Sequence, residues 1–208
     1  AGGLIGFAAN FGASMLLSGA AQSMMPKPSM GQIELQARTV TVREPVMPRQ
    51  MVYGRTRKGG VITFLHSTGE KDKDLHLVVV LAAHRVKSIG AIYFEGEMAL
   101  DAAGVAQGRW AGKLAVEKRL GHDDQTAFVG LITAAPELWT AAHRLASCAA
   151  IYLRMTYDPD AFPGGIPNIT VDMEGKDDIF DLLIGARGYT ENAALCVADY
   201  MAHPIYGI

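Results

Sequence analysis

From residue 50 onward, apolar residues recur at every second position in one short run after another, and each run is closed by glycine, proline or a cluster of charges. A period of two is the spacing of a strand whose alternate side chains face opposite ways, so this stretch is constrained to build sheets. Strands are expected over residues 50–57, 60–67, 75–83, 89–95, 110–120, 148–157 and 168–174. Lys58-Gly59-Gly60 separates the first two, and the polar run from Gly69 to Asp74 separates the next pair; both read as hairpin turns. Short helices are expected at 124–134 and 136–142. A third, at 190–202, places Ala193, Ala194, Val197, Ala198 and Met201 on one face, with Thr190-Glu191-Asn192 as its cap region. The fold class these elements imply is α+β and rich in strands.

The start of the chain has a different texture. Residues 3–25 carry no charge and mix small residues with Leu, Ile, Phe and Met, which reads as an apolar helix. At about 1.5 Å per residue it would run about 35 Å, enough to cross a bilayer. Only Lys27 follows it and nothing basic precedes it, whereas the pairs Ala8/Gly12, Ala9/Ala13 and Ser14/Ser18 suit close packing between helices. Packing inside a protein assembly is the first reading and a membrane-anchoring or membrane-penetrating helix the second. Pro26 and Pro28 end this element, and residues 32–43 form a further expected strand through Ile33, Leu35, Ala37, Val40 and Val42. The organisation expected is an apolar helix at 1–26, a first β-rich unit at 27–97, a second, inserted α+β unit at 98–175, and a return segment with a helix at 176–208. The chain starts at Ala1 and stops at Pro204-Ile205-Tyr206-Gly207-Ile208, so further residues are expected on both sides.

Half of the 208 residues are apolar and 19% are charged, which excludes a disordered chain. A formal net charge of −2 supplies no broad field for nucleic acid or an anionic membrane. None of the six histidines has zinc-binding spacing, and His122-Asp123-Asp124 reads as a solvated turn. Asp158 and Asp160 lack the glycine and terminal glutamate of a calcium loop. Cys148 and Cys196 read as reduced core residues, although spacing alone does not settle their pairing. The basic run from Gly54 to Gly60 lacks the Gly-Lys-Ser/Thr of a phosphate loop. Its Arg55, Arg57 and Lys58 either face an acidic partner or a passing nucleic-acid strand, or form a solvated hairpin tip. No catalytic residue, cofactor or metal ligand is assigned, and the chain is expected not to be an enzyme.

Three segments, in order, resemble the N-terminal region of lambda-type tail tip attachment proteins, the hub proteins that cap the tails of long-tailed bacteriophages. The first is Arg49-Gln50-Met51-Val52-Tyr53-Gly54-Arg55, followed by Gly59-Gly60. The second runs from Trp139-Thr140 through Ala150-Ile151-Tyr152-Leu153 and Phe162-Pro163-Gly164-Gly165-Ile166-Pro167 to Gly175-Lys176. The third runs from Tyr189-Thr190-Glu191-Asn192 through Ala198-Asp199-Tyr200 to His203-Pro204-Ile205-Tyr206-Gly207. Asp178-Ile179-Phe180-Asp181-Leu182-Leu183 departs from the pattern. Gene transfer agents and related prophage tails share this hub architecture. The resemblance implies hub domains of mixed sheets and short helices, and a homotrimer at the distal end of the virion tail. It also implies a lumen for the tape measure protein and for DNA in transit, with a distal tail protein and other tail-tip proteins as neighbours. Tyr53, Arg55, Arg57 and Lys58 would then make contacts across the assembly or line its lumen, and membrane contact would run through the N-terminal helix.

Overall fold

The computed structural model describes residues 48–204 and residue 207. The expected helix at residues 3–25 and strand at 32–43 lie outside them. Among the described residues there are ten strands: β1 (Arg55–Gly59), β2 (Val61–Thr68), β3 (Asp74–Ala82), β4 (Val86–Phe94), β5 (Glu97–Leu100), β6 (Leu114–Leu120), β7 (Ala149–Thr156), β8 (Ile169–Lys176), β9 (Ile179–Asp181) and β10 (Ala186–Gly188). Two short helices accompany them, α1 (Val129–Ala134) and α2 (Ala193–Met201).

The strands form two four-stranded sheets, ordered β1-β8-β4-β5 and β2-β3-β7-β6, and a small β9-β10 hairpin. Every strand pair is antiparallel, which overturns the expected mixed sheets, and the two described α-helices, of 6 and 9 residues, are too short to form a layer of their own, which overturns the expected α+β class. The described chain is an antiparallel β-sandwich with a small hairpin and two short helices. The reason lies in the connections: parallel neighbours need a crossover of a dozen or more residues, usually a helix, and neither helix here joins parallel strands. Strands on both sides of residues 97 and 98 share both sheets, since β7 pairs with β3 and β8 with β1 and β4.

Alternation fills the space between the sheets. Leu75, Leu77, Val79 and Leu81 of β3 and Ile151, Leu153 and Met155 of β7 meet Ile92 and Phe94 of β4 and Ile169, Val171 and Met173 of β8. The opposite face of β3 and β7 is also covered. There Val78, Ala150 and Tyr152 lie under Phe128, Leu131, Ala135 and Trp139 from the segment between β6 and β7. Burial on both faces explains why β3 and β7 read as nearly continuous apolar runs.

Two lysines cross between the sheets. Lys118 of β6 donates to the carbonyls of Ile89 and Gly90 in β4 and of Ala102, at 3.1, 2.7 and 2.9 Å. Lys58 of β1 donates to Leu81 O of β3 at 2.6 Å and to Gln50 Oε1. Burial lowers the Lys118 ammonium below its ordinary value and pushes Lys58 down to about 8. Hydrogen bonds to a charged group contribute about 1.5–3 kcal/mol, so Lys118→Met, which orphans three carbonyls, is expected to cost about 2 kcal/mol in a urea titration. An unchanged midpoint would mean that water replaces the ammonium.

The expected elements shift where tertiary contacts intervene. Gly59-Gly60 is not a hairpin but the point where the chain leaves the first sheet for the second, because β1 pairs with β8 and β2 with β3. A Cβ on Gly60 would lie 2.5 Å from Val79 Cγ1 and 2.6 Å from Val80 O, so the crossing needs glycine. The helix expected at 124–134 is reduced to α1 because Arg119 takes the Thr126 and Ala127 carbonyls, at 2.7 and 2.9 Å. The 136–142 segment turns without forming a helix, while Trp139 still packs edge-on to Phe64 at 5.2 Å.

Candidate functional site

Residues far apart in sequence meet at one end of the first sheet. Backbone pairing brings Val52 and Gly54 against the end of β8: Lys176 N–H donates to Val52 O and Gly175 N–H to Gly54 O, both at 2.8 Å. Between them, the Tyr53 hydroxyl donates to Asp199 of α2 at 2.7 Å, and Lys176 Nζ reaches both Asp199 oxygens at 2.6 and 2.8 Å. Burial opposes ionisation of Asp199, but the Lys176 ammonium and the Tyr53 hydroxyl outweigh it and hold the carboxyl below its usual range. This clasp fixes α2, which has no buried residue of its own and whose N-terminus is capped by the Asn192 side chain accepting from Ala194 N–H at 2.9 Å.

The outer face of the first sheet extends from the clasp as a ladder of paired charges. Antiparallel register sets Arg55 opposite Glu174 and Arg57 opposite Asp172, and the ion pairs close at 3.1 and 2.7 Å. Lys87 and Ser88 of β4 also reach Glu174, at 3.2 and 3.0 Å, and Tyr93 donates to Asp172 at 3.0 Å. The Arg57 guanidinium lies 3.5 Å above the Tyr93 ring and the Lys87 ammonium 4.2 Å above the Tyr189 ring. Arg55, Lys87 and Ser88 together hold the Glu174 carboxyl below its usual range. The ladder borders a shallow groove of about 860 Å³ lined by Arg55, Arg57, Gly90, Ala91, Ala102 and Asp172.

The four residues singled out in the sequence therefore fare differently. Tyr53 clasps α2; Arg55 and Arg57 lie on the exposed ladder, paired to carboxylates; Lys58 turns between the sheets. Sequence reasoning missed Asp172, Glu174, Lys176 and Asp199. The alternation of Asp172, Glu174 and Lys176 along β8 was visible, but nothing in it named β1 as the partner, and nothing tied Asp199 of α2 to them. It also missed the β9-β10 hairpin, whose tip exposes Leu182, Leu183 and Ile184 at 73, 90 and 73%. On α2, Val197 and Met201 face solvent, while Leu195, Cys196 and Asp199 are half-buried, so the expected apolar face of this helix points outward.

Behind the clasp, His84 is held as a neutral ring. Its Nε2 accepts Val52 N–H at 2.9 Å, so Nδ1 carries the proton toward Arg85 O, 2.7 Å away. Burial lowers its pKa; the Arg85 carbonyl and Asp177 pull upward, Lys176 and Lys58 downward. His76, between Thr68 Oγ1 and the Tyr152 hydroxyl at 2.7 and 2.8 Å, is lowered by burial too, with Asp74 opposing and His66 and Arg154 assisting. A folded pKa below the unfolded value means that the unfolded chain binds the proton first. Stability is therefore expected to fall as pH drops from about 6.5 toward the lowered folded values. Urea midpoints between about pH 7.5 and pH 5 check this, and His84→Gln is expected to remove part of the slope; a flat profile would contradict it.

Among the described residues no group of three or more His, Cys, Asp or Glu side chains gathers as a metal site, and no helix is long and apolar enough to cross a membrane. His122, Asp123 and Asp124 are exposed, and Cys148 and Cys196 are half-buried free thiols. The class defined so far is an antiparallel β-sandwich bearing a charge ladder and a clasped terminal helix. No family model matches the sequence, and no curated protein does. Among solved structures, a chain of the virion of a native gene transfer agent particle is similar, with a TM-score of 0.48 and 14% identity over 74% of this chain and 32% of that one. This chain thus spans about a third of that neighbour's length, and the likeness is too loose to define a shared fold or function.

Proposed function

We propose that this chain is a structural, non-enzymatic subunit of the distal tip of a phage-like tail. It forms part of a homotrimeric hub that closes the tail tube and joins it to host-recognition parts. The observation that carries the reading is the convergence at the clasp. Val52, Tyr53 and Gly54 of the first segment that resembles tail-tip proteins precede Gly175, Lys176 and Asp199 of the other two by more than a hundred residues, yet all six meet there through four direct contacts. Motif residues gathered in one place form a shared structural device, and this one positions a helix and a hairpin whose apolar residues are left on the surface. Three consecutive exposed aliphatic residues at a hairpin tip, beside an unburied helix, suit a surface covered by other subunits.

Arg55 and Arg57 are proposed to face neighbouring subunits or the lumen. Their carboxylate partners balance their charge, so the ladder offers alternating signs rather than a basic track for DNA. Exposed pairs of this kind contribute about 0–1 kcal/mol, so Arg55→Ala with Arg57→Ala is expected to leave the thermal midpoint nearly unchanged while lowering incorporation into tails. Tails separated from heads and examined by mass spectrometry give the readout, with sedimentation of the purified chain reporting a trimer. A chain absent from the tail fraction and recovered in cell membranes would overturn the proposal in favour of the membrane-anchored reading of residues 3–25.

A further inference from the structure

The outer face of the second sheet carries an open cavity beside the segment that covers it. Val78 and Tyr152 lie under Phe128, Leu131 and Trp139. Next to them His76 and Arg154, directly opposite each other in register, line a cavity of about 450 Å³ together with Thr68 and Tyr152. His76 and Tyr152 are 1 and 3% exposed; their rings stack at 6.0 Å with 5° between planes, and Phe128 packs on Tyr152 at 5.8 Å. Polar groups buried this deeply cost free energy unless their hydrogen bonds are made. Here the bonding leaves one hydrogen over. With His76 neutral, Thr68, His76 and Tyr152 bring three hydrogens to two hydrogen bonds, Thr68 Oγ1 to Nε2 at 2.7 Å and Tyr152 Oη to Nδ1 at 2.8 Å. If Nε2 carries the proton it donates to Thr68, and the Thr68 hydrogen is unused; if Nδ1 carries it, the Tyr152 hydrogen is unused. Among the described residues neither hydroxyl has a second hydrogen-bond partner, and both line the cavity, so one hydroxyl donor is always left to it.

The rest of the lining decides what that donor is for. Arg154 is exposed, and its guanidinium makes no ion pair or hydrogen bond among the described residues. The two carboxylates at the cavity are already engaged. Asp74 accepts the Thr156 hydroxyl at 2.6 Å, and Glu117 pairs with Arg119 at 3.1 Å and accepts the N–H groups of Val129 and Gly130 at 3.1 and 2.6 Å. The Thr133 hydroxyl is spent on Val129 O at 3.0 Å. What the cavity offers a ligand is therefore a guanidinium fork and a hydroxyl hydrogen, both of which call for an anionic acceptor, and the fork matches a carboxylate in two parallel hydrogen bonds. Asp74 and Glu117 nearby disfavour a doubly charged group. Ala115, Val116 and Ala134 add an apolar wall, and the volume falls within the range of about 300–1,000 Å³ common to small-molecule pockets.

We infer that this cavity binds a small organic monocarboxylate. Arg154 and the free hydroxyl of the Thr68-His76-Tyr152 chain receive its carboxylate, and its short apolar body lies against Ala115, Val116 and Ala134. The site goes beyond the tail-tip reading and stands without it, since none of its residues belongs to the clasp or to the charge ladder.

The test titrates the full chain, labelled with carbon-13 and nitrogen-15 in its histidines, with benzoate at pH 7.5 and follows the His76 ring signals by nuclear magnetic resonance. A saturable movement, half complete at about 1 mM or below, is expected. Arg154→Met changes an exposed side chain, so its urea midpoint is expected to stay in place while benzoate binding weakens about tenfold or more. Thr68→Val combined with Tyr152→Phe, which leaves no hydroxyl at the cavity, is expected to weaken it by a similar factor. Inorganic phosphate and benzylamine, which change the charge, are expected to bind at least about tenfold more weakly than benzoate. No saturable movement of the His76 signals with benzoate up to about 20 mM would overturn the site. Binding that Arg154→Met leaves unchanged would overturn it too, and phosphate or benzylamine binding as tightly as benzoate would overturn the assigned ligand class.

Discussion

Replacing Gly175 by valine is expected to prevent the sandwich from folding. A Cβ at this position would lie 2.2 Å from Val52 O, 2.5 Å from Val52 C and 2.9 Å from Tyr53 N. These are backbone atoms in a hydrogen-bonded register, so no side chain can swing aside to make room. Relief would require peeling residues 52–54 from β8, which breaks the bonds from Gly175 N–H to Gly54 O and from Lys176 N–H to Val52 O and withdraws Tyr53 from Asp199. A loss above about 4 kcal/mol is expected, a large share of the roughly 5–15 kcal/mol that holds a domain together. Gly188→Ala is the control, because nothing lies within 4 Å of its Cβ, and its change is expected within about 0.5 kcal/mol. Soluble yield and urea midpoints read both. A Gly175→Val protein as stable as the control would mean that residues 52–54 do not lie against β8.

Truncating Trp110 to alanine is expected to cost about 3–5 kcal/mol. The side chain is 1% exposed, meets Phe94 edge-on at 5.6 Å, and donates its indole N–H to Ala161 O at 3.2 Å. Phe94 in turn packs against Phe162, so the three rings close one end of the space between the sheets. Alanine leaves a cavity and an orphaned carbonyl, whereas Trp110→Phe keeps most of the packing and loses only the hydrogen bond, at a cost of about 1 kcal/mol. Calorimetric midpoints should fall by about 6–20 °C for the alanine variant in a chain of this size. A fall equal to that of the phenylalanine variant would assign the effect to the hydrogen bond alone.

The longer strands were legible in the residues because a period of two is a local property, whereas β1 lies at Arg55–Gly59 and not at 50–57, and the short β5, β9 and β10 were not foreseen. Leu75 to Ala82 and Ala149 to Thr156 could be placed within a residue or two. Pairing was not legible. Gly59-Gly60 serves a hairpin and a crossing between sheets equally well as a sequence, and only the approach of Val79 and Val80 to Gly60 separates them. Helix lengths failed for the same reason, since Arg119 competes for the carbonyls that residues 124–128 would need to begin a helix. The outward face of α2 also ran against expectation, because an ion pair at Asp199, not apolar burial, docks the helix. At the candidate site the cations of β1 stood out as a basic run, but Asp172 and Glu174, more than a hundred residues on, became their partners only through antiparallel register.

We propose that the chain sits at the distal end of a phage-like tail. Immunogold electron microscopy of intact particles, with antibody raised against residues 49–208, tests it most directly. Gold confined to the distal end of the tail is the predicted result; particles without label, with the protein found in cell membranes, would contradict it.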